Sequence, residues 1–147
     1  MPAQLLNHKL HMKIKTEKNQ NQTNNAVHLN DYAYVISERN NVSRDDLIYA
    51  LNLAEKAILI EPGNAAFLDT VGWIYYKMGT YNKAQEYLEK SLSINKNNPV
   101  ILEHMGDIYQ KLNDLSHALV LYEKAYMIDK KNKNLYKKMK KINEQSN

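Results

Sequence analysis

His8 and His11 stand three positions apart, a spacing that puts two imidazoles on one face of a helix where a metal ion could meet both. No further convincing ligand accompanies them, so they read as ordinary exposed side chains, and no metal or other cofactor is expected. His104 and Asp107 share the same spacing and suggest an acid–base pair. No positioned nucleophile goes with them, so surface hydrogen bonding is the expectation. Gly63, Gly72, Gly79 and Gly106 form no phosphate-cradling loop, and each has a turn or packing explanation. The chain has no cysteine, hence no disulfide, no thiolate ligand and no thiol nucleophile. An enzyme is not expected.

The chain that must position these groups has 147 residues, the size of one domain. Its 44% hydrophobic and 24% charged content is globular, too apolar for wholesale disorder. No stretch approaches the ~18 apolar residues of a membrane span, and the start MPAQLLNHKLHMKIK lacks the compact apolar core of a secretory signal. A cytoplasmic location is therefore expected. The net charge of +4 is unevenly spread. Residues 1–27 carry +3, residues 28–129 carry −5 and residues 130–147 carry +6, so an acidic body lies between basic ends. A uniformly basic nucleic-acid binder is thereby excluded.

The body repeats. Gly72 and Gly106 lie 34 residues apart, as do Tyr75 and Tyr109, and Ala50, Ala84 and Ala118 keep the same step. EKAILI, EKSLSI and EKAYMI begin at Glu55, Glu89 and Glu123 in that register. Within a period the apolar positions describe two helices. One carries Leu68, Val71, Gly72 and Tyr75; after a turn at Gly79 the next, capped by Thr80, carries Ala84, Tyr87, Leu88, Ser91 and Leu92. The following period has Leu102, Met105, Gly106 and Tyr109, a turn at Asn113, then Ala118, Leu121, Tyr122 and Ala125. Asn98 before Pro99 signals a helix start, because proline at the first helical position lacks only an N–H the helix would not use. The first period is irregular. Leu29, Tyr32, Ala33 and Ile36 supply its first helix and Ala50, Ala54 and Ala57 its second, with a connection five residues longer that contains residues 40–43. Ser43 and Asp46 have capping-box spacing at its end.

These residues resemble the tetratricopeptide repeat (TPR), with the pattern W-x2-L-G-x2-Y, then Ala, a large apolar residue and Pro. Leu68 and Leu102 replace its leading Trp, Ser91 replaces an Ala, Pro62 occupies the Pro position in the first unit, and Lys96 and Lys130 stand there later. LDTVGWIYYKMG is similar to repeats near the C-terminus of longer bacterial TPR proteins. The resemblance implies an all-α fold: an α-solenoid of about three helix-turn-helix units, at about 26–64, 65–98 and 99–132, followed by a C-terminal capping helix and basic tail at 133–147. There Leu135, Met139 and Ile142 form one narrow stripe among lysines, as a helix that ends a stack with a polar face should. Residues 1–25, with NQNQTNN, read as a flexible polar segment. Leu5, Leu6, Leu10 and Ile14 leave a short amphipathic helix as the alternative to a disordered or loosely helical segment.

The resemblance also implies a role. Stacked helical pairs curve, and the first helix of each pair lines the inner face. That face receives Tyr34, Asp69, Trp73, Tyr76, Glu103, His104 and Asp107, so the expected function is a non-enzymatic scaffold or adaptor. It would bind a neutral to basic protein or peptide segment, with no small-molecule substrate, and nucleic acid is not the expected partner. Trp73 and Tyr76 read equally as anchors for that segment or as packing against the neighbouring helix. Relatives that grip a chaperone's C-terminal carboxylate use Lys and Asn on this face; Asn30, Tyr34, Thr70, Val100 and His104 here do not make that clamp. Two alternatives stay open. The chain reads also as the C-terminal part of a longer array with a mainly structural role, or as a weak binder of anions or nucleic acid through its Lys-rich C-terminal helix, whose lysines otherwise form a solvated face.

Overall fold

The computed structural model describes residues 2–145 without the side chains of residues 2, 3 and 6. Met1 and residues 146–147, which the sequence assigns to the two terminal segments, and the side chain of Leu6 in the N-terminal apolar stripe lie outside the described residues. Seven helices, with no strand among the described residues, run in order: α1 (Pro2–Ser37), α2 (Arg44–Ile60), α3 (Ala65–Lys77), α4 (Tyr81–Ile94), α5 (Pro99–Lys111), α6 (Leu115–Ile128) and α7 (Lys133–Gln145). The tightest pairings are α1 with α2, α3 with α4 and α5 with α6; α2 meets α3, α4 meets α5 and α6 meets α7. The result is an all-α solenoid with α1, α3, α5 and α7 successive along one side.

Recurring local chemistry sets the helix ends. Asn64, Asn98 and Asn132, each 34 residues from the next, turn a side-chain oxygen onto two otherwise unpaired N–H groups of α3, α5 and α7. Ser43 and Asp46 form the expected capping box on α2. Thr80 does not cap α4 through its side chain; only its backbone takes part, its carbonyl accepting from the Ala84 N–H. Gly79 and Asn113 occupy equivalent turns with φ of 78° and 61°, a left-handed conformation that glycine adopts freely and asparagine tolerates.

Close approach within a pair requires the small residues. A Cβ on Gly72 would come within 2.9 Å of Leu88 Cδ1, and one on Gly106 within 2.5 Å of Tyr122 Cε1. The next position in this column is Lys140 on α7, and no second helix packs there among the described residues. Ala84 and Ala118 are fully buried on the opposing helices. Ala84→Leu and Ala118→Leu should each lower stability in urea unfolding by ~1–3 kcal/mol, the cost of overpacking. Lys83→Ala, one position away and exposed, should stay within ~0.5 kcal/mol; equal losses at both kinds of site would mean the packing register is wrong. Ser91, where the repeat pattern has Ala, is buried with its hydroxyl donating to the Ala65 carbonyl at 2.6 Å.

Two features of the first helix differ from expectation. Residues 2–25, read from sequence as a flexible segment or a short amphipathic helix, are helical and continue without a break into the packed part of α1. Helix propagation adds one hydrogen bond per residue without a new nucleus, and no Gly or Pro interrupts residues 3–61. This extension is solvated at every described side chain until Ala26. Tyr32, placed by register with the buried Val71, is half exposed and meets Tyr49 edge-on at 6.4 Å. Val71 is covered by the preceding unit; no preceding unit covers Tyr32 among the described residues.

Candidate functional site

The first helices present the same positions in turn, and a ladder of polar links joins them across the inner face. Trp73 Nε1–H on α3 donates to Glu38 Oε1 on α1 at 2.7 Å. His104 Nδ1 on α5 donates to the Asp69 carboxylate on α3 at 2.9 and 3.1 Å. Lys138 Nζ on α7 donates to Glu103 Oε1 on α5 at 2.7 Å. Each donor reaches a carboxylate 35 residues earlier in the chain. For His104 and Lys138 this is one repeat plus one residue; across the longer first period Glu38 is the counterpart of Lys77, so the Trp73 rung joins a different pair of positions.

The rungs are enclosed by stacked rings. The Trp73 indole lies between Tyr76, at 4.7 Å and 10°, and His104, at 4.1 Å and 15°. Lys77 stands over the indole at 5.1 Å and pairs with Glu38 at 3.2 Å. Trp73 is 8% exposed, and Asp69, His104 and Asp107 are each 7% exposed. Partial burial works to raise the Glu38 pKa, but hydrogen bonds from Trp73 and Lys77 outweigh it and hold this carboxyl below its ordinary value. At the other end Lys138 Nζ also binds both Asp107 oxygens, at 2.7 and 2.9 Å, and Tyr122 O–H donates to Asp107 at 2.6 Å. Burial opposes the Lys138 charge; Asp107 and Glu103 overcome it and raise its pKa. Tyr76 is pushed up to about 12 by burial and by Asp107.

Five of the seven residues singled out from sequence, Tyr34, Trp73, Glu103, His104 and Asp107, line one concavity of about 360 Å³ with Glu38, Val100, Asn134 and Lys138. Tyr76 opens instead onto an adjacent polar cleft beside Gln110 and Lys111. Asp69 lies beneath His104, buried. The concavity is therefore lined by carboxylates already held by internal cations and donors. Sequence reasoning missed Lys138, which it left on a solvated face with Lys137, Lys140 and Lys141; those three are exposed, whereas Lys138 reaches into the groove. The signal was available, since Lys138 follows Thr70 and His104 in the 34-residue register. Its neighbour Asn132, which donates to Glu103 at 2.9 Å, repeats Asn64 and Asn98.

Among the described residues no group of three or more His, Cys, Asp or Glu is placed to hold a metal ion, and no helix is long and apolar enough to cross a membrane. The tetratricopeptide repeat profile matches residues 65–98 and 101–132. The BBSome complex member BBS4 of Bos taurus is 36% identical over 74 residues, 49% of this chain; the chain spans only 14% of that relative's length. The thermophilic TPR protein TTC0263 of Thermus thermophilus superposes with a TM-score of 0.62 at 24% identity, over 71% of this chain and 54% of that one. The first TPR of Spaghetti (RPAP3), bound to the HSP90 peptide SRMEEVD, superposes with a TM-score of 0.73 at 15% identity, over 84% of this chain and 94% of that one.

Proposed function

From the premise that this chain is a tetratricopeptide-repeat protein, we propose that it is a non-enzymatic interaction module whose inner groove holds a segment of another protein. The array of residues 26–132, read as units 26–64, 65–98 and 99–132, supplies the groove, and α7 (Lys133–Gln145), in the capping segment read as 133–147, closes one end. The observation that carries this reading is the concavity shared by α1, α3, α5 and α7, where half-buried Tyr34 and exposed Val100 offer apolar surface among hydrogen-bonding groups. The structurally similar repeat of Spaghetti holds a peptide with three acidic side chains. The present groove is lined by Glu38, Glu103 and Asp107, and its lysine, Lys138, is already paired with Glu103 and Asp107. Its occupant is therefore neutral, or carries a cation able to share Glu103 with Lys138.

Val100→Glu and Tyr34→Ala test this reading, because both side chains line the groove and neither is part of the buried ladder. Each should reduce capture of a partner protein at least fivefold in a pull-down against wild type, with thermal unfolding unchanged. Undiminished capture by both variants would remove the groove as the binding site.

A further inference from the structure

We propose that the trough between α6 and α7 is a second docking surface, separate from the inner groove, and that it takes an acidic amphipathic helix of a partner protein. Its floor is Tyr126, Met127, Tyr136 and Met139, around a space of about 610 Å³. Beyond the tilted rings of Tyr126 and Tyr136, 6.3 Å apart, it continues into a cleft of about 440 Å³ flanked by Lys130, Lys133 and Lys137. Met127 is 74% exposed and Tyr136 58%. One repeat earlier, the counterparts of Tyr136 and Met139 are Leu102 and Met105, both buried, with α6 paired on α5. The trough is the same kind of surface without a covering helix among the described residues.

Lys140 decides how an occupant approaches. It stands in the column of Gly72 and Gly106, so a helix cannot come as near α7 as α4 and α6 come to α3 and α5. An occupant must stand off and meet the long side chains of Met127, Tyr136 and Met139, as an apolar stripe of Leu or Met spaced i, i+3, i+4 and i+7 would. Charge selects its flank. Lys130, Lys133 and Lys137 make no ion pair among the described residues, while the other wall carries Glu123 and the Lys140–Glu144 pair at 3.8 Å. An acidic edge laid along the three lysines gains complementary charge and a faster encounter. A second copy of this chain is disfavoured, because the exposed part of its α1 brings four lysines against Glu17. The surface is a trough and not a convex face, which suits a row of side chains better than a bilayer.

The probe is a fluorescein-labelled 18-residue peptide with Leu on one helical stripe and Glu elsewhere, titrated with the full chain by fluorescence anisotropy. Saturable binding is expected. Met127→Glu should weaken it at least tenfold, and so should Lys130→Glu with Lys133→Glu and Lys137→Glu. Val100→Glu, in the inner groove, should leave it within twofold. Both changes in the trough lie on exposed side chains, and circular dichroism confirms that the fold is kept. Absence of saturable binding, equal binding of a scrambled peptide, or wild-type affinity in the trough variants would overturn the proposal. So would binding of phosphatidylserine vesicles in place of the peptide, which would make the trough a lipid contact. Dimerisation in sedimentation equilibrium that Met127→Glu abolishes would overturn it in favour of a second copy.

Discussion

Trp73→Ala is expected to lower the stability of the protein by about 3–5 kcal/mol, the range for truncating a large buried aromatic. The indole is closed between Tyr76 and His104, and its N–H holds Glu38. Its removal leaves a cavity, withdraws a donor from a carboxylate and takes away the ring on which His104 rests while binding Asp69. Trp73→Phe keeps part of the stack and loses the hydrogen bond, so its cost should be smaller, nearer the ~1.5–3 kcal/mol of a bond to a charged group. Urea unfolding followed by far-ultraviolet circular dichroism measures both, because the chain's one tryptophan is lost as a fluorescent reporter. A loss below ~1 kcal/mol in the alanine variant, far under the buried-aromatic range, would place Trp73 at the surface. The change is thus a stability probe, and binding in the groove is better tested at Tyr34 and Val100.

Tyr122→Ala should be as damaging, again about 3–5 kcal/mol. The ring is fully buried, fills the space over Gly106 and lies under Lys138 Nζ at 5.4 Å. Its hydroxyl donates to Asp107, the carboxylate that also holds Lys138. Burial first, and Asp107 second, push its pKa upward, so it remains a donor across the ordinary pH range. Tyr122→Phe keeps the packing and removes one donor from a carboxylate that retains its lysine. The expected cost is ~1.5–3 kcal/mol in the same unfolding experiment. Equal costs for the two variants would assign the whole effect to the hydroxyl and none to the ring.

The helix pairs were legible because each close contact recurs as the same kind of residue. Gly72 and Gly106 face Leu88 and Tyr122, and Ala84 and Ala118 lie beside them. The length of α1 was not legible. Its Asn and Gln residues read as a linker and no described side chain before Ala26 is buried, whereas continuing a helix already packed from Ala26 onward needs no buried face of its own. The candidate site was legible as a set of positions and not as a set of partners. Trp73 lies in the inner column with Tyr34, but only the large rings of Tyr76 and His104 on either side decide that it is enclosed. The pairing of Glu103 and Asp107 with Lys138 required α7 to be read as a further first helix, which its cap at Asn132 and its place in the register both indicated.

Lys140 has a consequence for how such a gene could lengthen. Tandem duplication of a 34-residue segment is the simplest way to enlarge an array of this kind, since a copied unit brings its own complementary surfaces. A copy of α6 laid against α7 would drive the equivalent of Tyr122 into the lysine side chain, where the two earlier units offer bare backbone at Gly72 and Gly106. Insertion between existing units meets no such obstacle. Lys140→Gly would restore at α7 the bare backbone that Gly72 and Gly106 give the two earlier units.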